Sequence, residues 1–437
     1  MTDSYPIINY AAPIISYNSI MDILIIGSGG REHALAWKLK ESSKIKKIFI
    51  APGNAGTSQI GLNIPISKTE EIINWLKKNH VDLVIVGPDE HLADGIVDAL
   101  KTLDIPVFGP TKSAAEIEWS KSFAKQFMKE ENIPTAQYEI FNDAKKAKLY
   151  AQTQSFPLVI KASGLALGKG VIIAHSKKEA DKALDEIMID KIFGNAGNEI
   201  VIEEYLQGKE ISIHAFCDGT NAVLFPPSQD HKRIFENDDG PNTGGMGTIA
   251  PVPWVSEKDM KTIEEKIVVP TINALKKRGR PFRGILFPGI MITETGPKVI
   301  EFNARFGDPE TQSYMRILET DLVDILFACI NGKINEREIK WSQKSACCIV
   351  CSSGGYPGEY QKGKMIGGLD AVQKDIVIFY AGTKCENDKI VTNGGRVLGI
   401  TAIGDNLKES LSKGYEMTKL ISFEGMYYRK DIGKKSF

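Results

Sequence analysis

The sequence predicts an α/β and α+β protein of several domains that opens on a doubly wound parallel sheet. Three observations carry that prediction. From Met21 onward, apolar strands alternate with helices, and each strand stops at a Gly or Pro turn. Residues 156–174 break the alternation with strand, glycine loop and strand, and no helix follows. The length, 437 residues at 42% hydrophobic and 25% charged, gives room for roughly two to four soluble domains.

Residues 1–20 carry no Lys or Arg and no sustained apolar run, so they fit neither a signal nor a transit peptide. They read as a dispensable extension, with disorder or an upstream start as the accompanying readings. DILIIGSGG is then a buried strand, REHALAWKLKES a helix, KKIFIAPGN a second strand, EEIINWLKKNH a helix and VDLVIVGPD a third strand. In such a sheet the ligand crevice lies beyond the carboxyl ends of the strands. Those ends are GSGGREH, APGNAGT and GPDEHLADG, whose small residues let backbone amides approach a ligand. Gly27 and Gly29 begin a G-x-G-x-x-G pattern, but Glu32 stands where the third glycine belongs. Ala51-Pro52-Gly53 lacks the acidic residue that would hold an adenosine ribose. A phosphate-bearing metabolite at the start of the Arg31-Glu32-His33 helix is therefore favoured over NAD or FAD.

After the strand IPVFGP, the passage TKSAAEIEWSKSFAKQFM reads as helix. FPLVIKASGLALGKGVIIA follows, with Gly164, Gly168 and Gly170 in its loop and Lys161 and Lys169 beside them. It lacks the G-x-x-x-x-G-K-[ST] order of a P-loop, yet flexible backbone with two cations suits a lid over a triphosphate. The bland alternative is a glycine hairpin with solvated lysines. EIVIEEYLQGKEISIHAF gives a strand reaching Glu203, a glycine turn, and Glu210 at the start of another strand.

The densest chemistry lies in VIEFNARFGDPETQ, residues 299–312. If Val299 to Asn303 is a strand, its period of two points Glu301 and Asn303 to one face. A carboxylate and an amide carbonyl are hard oxygen donors of the kind Mg²⁺ or Mn²⁺ takes. Arg305 stands just beyond, with a planar fork for a carboxylate or phosphate. A surface turn with solvated charges is the plain alternative.

Composition narrows the function. Lys and Arg number 54 against 55 Asp and Glu, so no global basic field argues for nucleic acid or an anionic membrane. No apolar run approaches the roughly 20 residues of a membrane span. Cys217, Cys329, Cys347, Cys348, Cys351 and Cys385 are too irregular for a disulfide framework. SACCIVCSSGG, which tempts a zinc reading, reads better as a buried strand with core thiols, and a reducing compartment follows.

The order of these motifs resembles the ATP-grasp enzymes, and in detail the phosphoribosylamine–glycine ligase (glycinamide ribonucleotide synthetase) family. Its carriers are ILIIGSGGREHALAWKL, APGNAGT, VIKASGLALGKGV, SQDHKRIFENDDGPNTGGMG, KVIEFNARFGDPETQ and VTNGGRVLGITA, spread from Met21 to Lys435. The resemblance implies an N-terminal domain over residues 21–121, an ATP-grasp lid over 122–192, a central domain over 193–330 and a small β-rich C-terminal domain over 331–437. It implies ATP contacts from Lys121, Lys161, Gly164, Gly168, Lys169 and Gly170. Glu203, Glu204, Tyr205 and Leu206 would be the adenine hinge, and Glu210 would meet the ribose. Glu301 and Asn303 would hold the metal, while Lys161, Arg305 and Asp230 would act at the reacting groups. Substrate contacts would come from Gly29, Gly30, Arg31, Asn54, Gly56 and Asp89, then Asp230, His231, Lys232, Asn242, Gly244, Gly245 and Met246, and finally Arg305 and Asp308.

Three departures from the family pattern are visible. Ser163 stands where Asp is usual, which puts in doubt one contact ordering the lid; Ala304 replaces Cys and Asp89 replaces Glu. The implied reaction ligates glycine to 5-phosphoribosylamine with ATP through a glycyl phosphate, in purine biosynthesis, by a cytoplasmic monomer using Mg²⁺ or Mn²⁺. Another ATP-grasp carboxylate–amine ligase, or a nucleotide-binding regulatory protein without catalysis, are the competing readings. His33 and His231 stand as ligand candidates only, with no claim as a general base.

Overall fold

The computed structural model describes residues 20–166, 170–371 and 373–437. All of the expected extension except Ile20, and Gly168 and Lys169 of the glycine loop, lie outside these residues. The first sheet holds β1 (Met21–Gly27), β2 (Ile45–Pro52), β3 (Leu62–Asn63), β4 (Leu83–Val86) and β5 (Val107–Phe108). Its order is β3-β2-β1-β4-β5 and every pairing is parallel. Ile23 to Ile26 are fully buried, as a strand covered on both faces requires. The chain winds outward through β2 and β3, then returns to β4, so the topological switch lies between β1 and β4.

That crevice is filled by a side chain of α1 (Gly30–Lys40). A Cβ added to Gly27 would lie 2.5 Å from Cδ of Glu32, and one added to Gly87 would lie 2.0 Å from its Oε1. Glu32 Oε2 also accepts the N–H of Gly29 at 2.6 Å, capping the helix. The residue that interrupts the glycine fingerprint thus occupies the ground between the ends of β1 and β4.

The second sheet, β6 (Tyr138–Phe141), β7 (Leu158–Ala162), β8 (Val171–Ala174) and β9 (Ile200–Glu204), is antiparallel in the order β6-β9-β7-β8. It has its own apolar core around Ile160, Leu184 and Ile202. The expected boundary between residues 192 and 193 falls inside this unit. β9 separates β6 from β7, so the sheet closes only at Glu204.

β10 (Lys209–Ser212), β11 (Ala215–Asp218) and β12 (Ala222–Leu224) start a third sheet. The chain then leaves it through β13 (Gln229–Asp230), β14 (Arg233–Phe235), β15 (Asp239–Asn242) and β16 (Gly247–Ala250), and returns in β17 (Arg283–Thr293) and β18 (Gly296–Asn303). β17 pairs with β10, β11 and β18. β16 instead pairs with β19 (Ser345–Ser352), in a fourth sheet completed by β20 (Ile376–Tyr380) and, after the hairpin β21 (Thr383–Glu386) and β22 (Lys389–Thr392), by β23 (Arg396–Gly404). The C-terminal sheet therefore borrows β13 and β16 from the span expected to be central, because the order β13-β16-β19-β23-β20 places them at its edge. Cys347, Cys348 and Cys351 of β19 are all buried, with Cys347 Sγ donating to Ser410 O.

Candidate active site

A cleft of about 570 Å³ opens between the second and third sheets and the β13–β16 excursion. On the second-sheet side, Val159 faces Glu203 across β7 and β9, which puts Lys161, two residues on, diagonally beside Glu203. Lys161 Nζ lies 2.9 Å from Glu203 Oε1 and donates to Ile300 O at 2.9 Å. Lys125, from the helix Lys121–Glu130, lies 3.0 Å from Glu203 Oε2 and donates to Thr135 Oγ1 at 2.7 Å. All three charged side chains are 3–4% exposed. Burial lowers Lys125 to about 8 even though Glu203 pulls it up.

Glu203 therefore turns its carboxylate onto two lysines. Glu204, which also lines the cleft, accepts from Gln137 N–H at 3.0 Å and lies 3.3 Å from Lys298 Nζ. Tyr205, Leu206 and Lys121 line the cleft. Burial lowers Lys121, with Glu301 opposing. Ser163 Oγ accepts the N–H of Ser122 at 3.1 Å and donates to Ser122 Oγ at 2.9 Å, while Ser163 O accepts the N–H of Lys121 at 2.9 Å. The departure at 163 thus still ties the end of β7 to the start of that helix. A Cβ on Gly164 would stand 2.9 Å from Ala196 Cα, and one on Gly170 would stand 2.7 Å from Ala166 Cβ. Both positions are close-packed, so a side chain would displace a neighbour.

On the opposite wall, β18 presents Glu301 and Asn303 to the cleft as its alternation predicts. Lys232 Nζ bridges Glu210 Oε1 at 2.6 Å and Glu301 Oε1 at 3.2 Å. That cation above all, with Lys161 and Lys121 behind it, holds the Glu301 carboxyl down at about 2. Asn303 Oδ1 accepts from Arg305 Nη2 at 3.1 Å, and its Nδ2 donates to Phe287 O at 3.2 Å.

Arg305 is braced from behind by Glu118, a residue that sequence reasoning missed. Arg305 Nε is 3.2 Å from Glu118 Oε1, and Glu118 Oε2 accepts the N–H of Ala304 at 2.7 Å. Burial pushes Glu118 up to about 7 against the pull of Arg305. Because residue 304 is gripped through its backbone, Ala for Cys costs that contact nothing. The signal for Glu118 was its place three residues before Lys121 in a helical passage, but the break at Ser120 that turns both toward the cleft has no such signature.

At the far end, Asp230, Asp308 and Glu310 converge. Burial raises Asp230 and Glu310, and Glu310 raises Asp230 further. Glu310 accepts from Ser212 Oγ at 2.9 Å, and Asp230 from the N–H of His231 at 2.7 Å. Arg396 of β23, also missed, lies 3.3 Å from Asp308 Oδ1 and donates to Gly244 O at 2.6 Å and Asp308 O at 2.7 Å. Gly245 has φ +113°, and a Cβ there would lie 2.6 Å from Asp230 Oδ1, so the turn requires glycine. Asp89, Asn242 and Gly244 also line the cleft.

Other expected substrate residues stand behind this surface. Asn54 spends its amide on Ser28 O and Tyr380 O, both at 2.8 Å, and its carbonyl on the N–H groups of Gly56 and Thr57. Gly56 packs on the His33 ring and Gly30 on Gln312, while Met246 is fully buried. Arg31 pairs with Glu32 at 2.5 Å and donates to Phe306 O. Gly29 sits closest to the cleft, 2.9 Å from Asp308 Oδ2 at an added Cβ. His33 Nδ1 accepts from Tyr380 N–H, and both ring nitrogens of His231 are engaged, Nδ1 with Gly247 O and Nε2 with the N–H of Gly433. The His231 ring therefore has no nitrogen left for a ligand, while His33 has one nitrogen committed.

The chain matches three models of one family in succession: Phosphoribosylglycinamide synthetase, N domain, over residues 21–118; the ATP-grasp (A) domain over 119–311; and the C domain over 346–435. It is 47% identical over 414 residues to a phosphoribosylamine–glycine ligase of Caldanaerobacter subterraneus subsp. tengcongensis, covering 94% of this chain and 99% of that protein. A second such ligase, from Halalkalibacterium halodurans, is 46% identical over 95% of this chain and 97% of its own length. Among solved structures, the phosphoribosylamine–glycine ligase of Thermotoga maritima superposes with a TM-score of 0.84 at 34% identity, over 94% of this chain and 100% of the other. A biotin carboxylase from Campylobacter jejuni shares the fold at 16% identity and a TM-score of 0.70, covering 93% of this chain and 92% of its own. With relatives this similar along nearly its whole length, the chain belongs to the phosphoribosylglycinamide synthetase family.

Proposed function

We propose that the chain is an ATP-dependent carbon–nitrogen ligase of purine biosynthesis that joins glycine to 5-phosphoribosylamine, releasing ADP and phosphate. The observation that carries the reading is a shared cleft: Lys121, Lys161, Glu301, Asn303 and Arg305 all face it, with Asp230 at its far end. Glycine's carboxylate is a poor electrophile, so ATP first converts it to an acyl phosphate, which the amine of 5-phosphoribosylamine then attacks as phosphate leaves. Such transfer needs positioning and charge neutralisation more than covalent help. Lys121 and Lys161 neutralise nucleotide phosphates, and the backbone of residues 203–206 meets the base, since the Glu203 side chain is committed to Lys161 and Lys125. Glu210 meets the ribose once Lys232 yields it. Arg305, held rigid by Glu118, presents its fork to the transferring group. Asp230 and Glu310 receive the amine-bearing substrate, and the turn of Gly244 and Gly245 brings backbone close to it.

The donor set fits a hard divalent ion. Glu301 is ionised over the whole physiological range, and Asn303 Oδ1 lies on the same strand face. Two protein oxygen donors leave the rest of an ion's coordination to nucleotide phosphates and water. When bound, Mg²⁺ or Mn²⁺ would offset charge on the transferring phosphoryl group. The same reading takes the chain as a cytoplasmic monomer with neither nucleic acid nor membrane as a partner; its six free cysteines support a reducing compartment.

ADP release measured with glycine, 5-phosphoribosylamine and Mg²⁺ tests the reading. Turnover should require both substrates, and bicarbonate or another amino acid should not replace glycine. Silence from folded protein would refute it. Glu301→Ala should abolish turnover with the fold intact, and unchanged activity would remove the metal role.

A further inference from the structure

The segment Arg429–Ser436 reaches the cleft only through Lys435, yet it grips the loop that carries the acceptor residues. Arg429 is fully buried. Its Nε and Nη2 donate to the two carboxylate oxygens of Asp431, both at 2.8 Å, and its Nη1 donates to Arg233 O at 3.0 Å and lies 2.9 Å from Asp238 Oδ1. Asp431 Oδ2 also accepts the N–H of Asn237 at 2.8 Å. Gly433 donates its N–H to Nε2 of His231 at 3.0 Å, while Nδ1 of the same ring meets Gly247 O at 3.0 Å. Lys435 pairs with Asp238 and itself lines the cleft.

A buried guanidinium is costly unless every donor is matched, so such an arrangement is weak evidence for stability and better evidence for a fixed geometry. Apart from Asp431 within the segment itself, the matched partners lie on residues 233–238, between Asp230 and Lys232 on one side and Asn242, Gly244 and Gly245 on the other. We propose that Arg429–Ser436 is a positioning strap that holds the loop Asp230–Gly245 in register to receive the amine substrate, with His231 as the pin between them. The strap itself touches no proposed nucleotide residue, and of the loop it holds Lys232 alone reaches Glu210 and Glu301, so its effect falls chiefly on the amine substrate. Burial keeps His231 down at about 4, so the pin is a neutral ring, one nitrogen donating and the other accepting, at any working pH.

The proposal rests on the ligase reading above, and its test separates the two. Arg429→Met and Asp431→Ala are compared with the parent for the KM of the amine substrate, the KM of ATP, and backbone hydrogen exchange. The KM for the amine should rise roughly tenfold to a hundredfold in both, with the KM for ATP within about twofold of the parent, since misplacement by an ångström has effects of that size. Exchange should quicken over residues 231–245 and stay unchanged over 200–206. Should Arg429→Met fail to fold, Asp431→Ala decides. Unchanged exchange of the loop, or both KM values rising together, would overturn the strap. If the parent does not use glycine and 5-phosphoribosylamine, the ligase reading fails and the exchange result still decides the strap.

Discussion

Glu203→Ala is the most telling single substitution, because one buried carboxylate holds two buried ammonium groups on different elements. Lys161 belongs to β7 and Lys125 to the helix that begins at Lys121, and each retains only one neutral oxygen partner once the carboxylate is gone, Ile300 O and Thr135 Oγ1. Removing one partner of a buried ion pair costs about 3–5 kcal/mol, since the remaining charge stays desolvated. At roughly 2–4 °C per kcal/mol for a unit of 150–250 residues, the melting transition should fall by about 6–20 °C. Glu203→Gln keeps an oxygen for one lysine and should lie between.

The deficit depends on pH with a definite sign. Lys125 already titrates near 8, below its ordinary 10.5, so the folded chain binds fewer protons than the unfolded one between those values. Losing Glu203 lowers it further. The deficit should therefore be largest at neutral and lower pH and shrink as pH rises through about 8, above which Lys125 is neutral in both folded proteins. Calorimetry or thermal melts at pH 7 and 9.5 read this directly, and KM for ATP should rise in parallel as Lys161 loses its fixed position. A Glu203→Ala protein that melts with the parent at both pH values would refute the reasoning.

Glu118→Gln keeps shape while removing the anion behind Arg305, so kcat should fall about tenfold through misorientation of the fork. Because burial raises Glu118 to about 7, the parent's folded state takes up a proton as pH falls from above 7 toward 4.5 and the Arg305 brace loses its charge; kcat should show an acidic limb near 7 that Glu118→Gln lacks, as a pH–rate profile will show. Lys232→Met should weaken the depression of Glu301 and raise the pH at which its carboxyl titrates, measurable by NMR on labelled glutamate; an unmoved titration would show that Lys161 and Lys121 suffice. In native protein a thiol reagent should label Cys385 alone, since Cys217, Cys329, Cys347, Cys348 and Cys351 are buried and burial raises their thiols; labelling of more than one thiol without unfolding would contradict the burial.

Local pattern was enough for the elements and for part of the cleft. Alternating apolar runs and glycine turns announce the parallel sheet, and a period of two alone puts Glu301 and Asn303 on one face of β18. Lys161 beside a glycine loop likewise announces a cation, which the structure places in the cleft. These depend on residues adjacent in sequence, whose geometry follows from backbone periodicity.

What sequence left open depends on contacts between distant segments. Glu203 read as a hinge residue, but cross-strand pairing with β7 turns its carboxylate onto Lys161, and only the helix packing brings Lys125 to its other oxygen. Asn54, Gly30 and Gly56 read as ligand-facing because small and polar loop residues often are; packing against β20 and the helix Glu310–Ile317 absorbs them instead. His231 read as a ligand until Gly433, 202 positions later, took its free nitrogen. By itself the sequence determined the strands, the hard oxygen pair and the family. Tertiary structure decided which charges neutralise one another and which polar groups remain for a ligand, because hydrogen-bond partners are chosen by proximity in space and burial makes each choice exclusive.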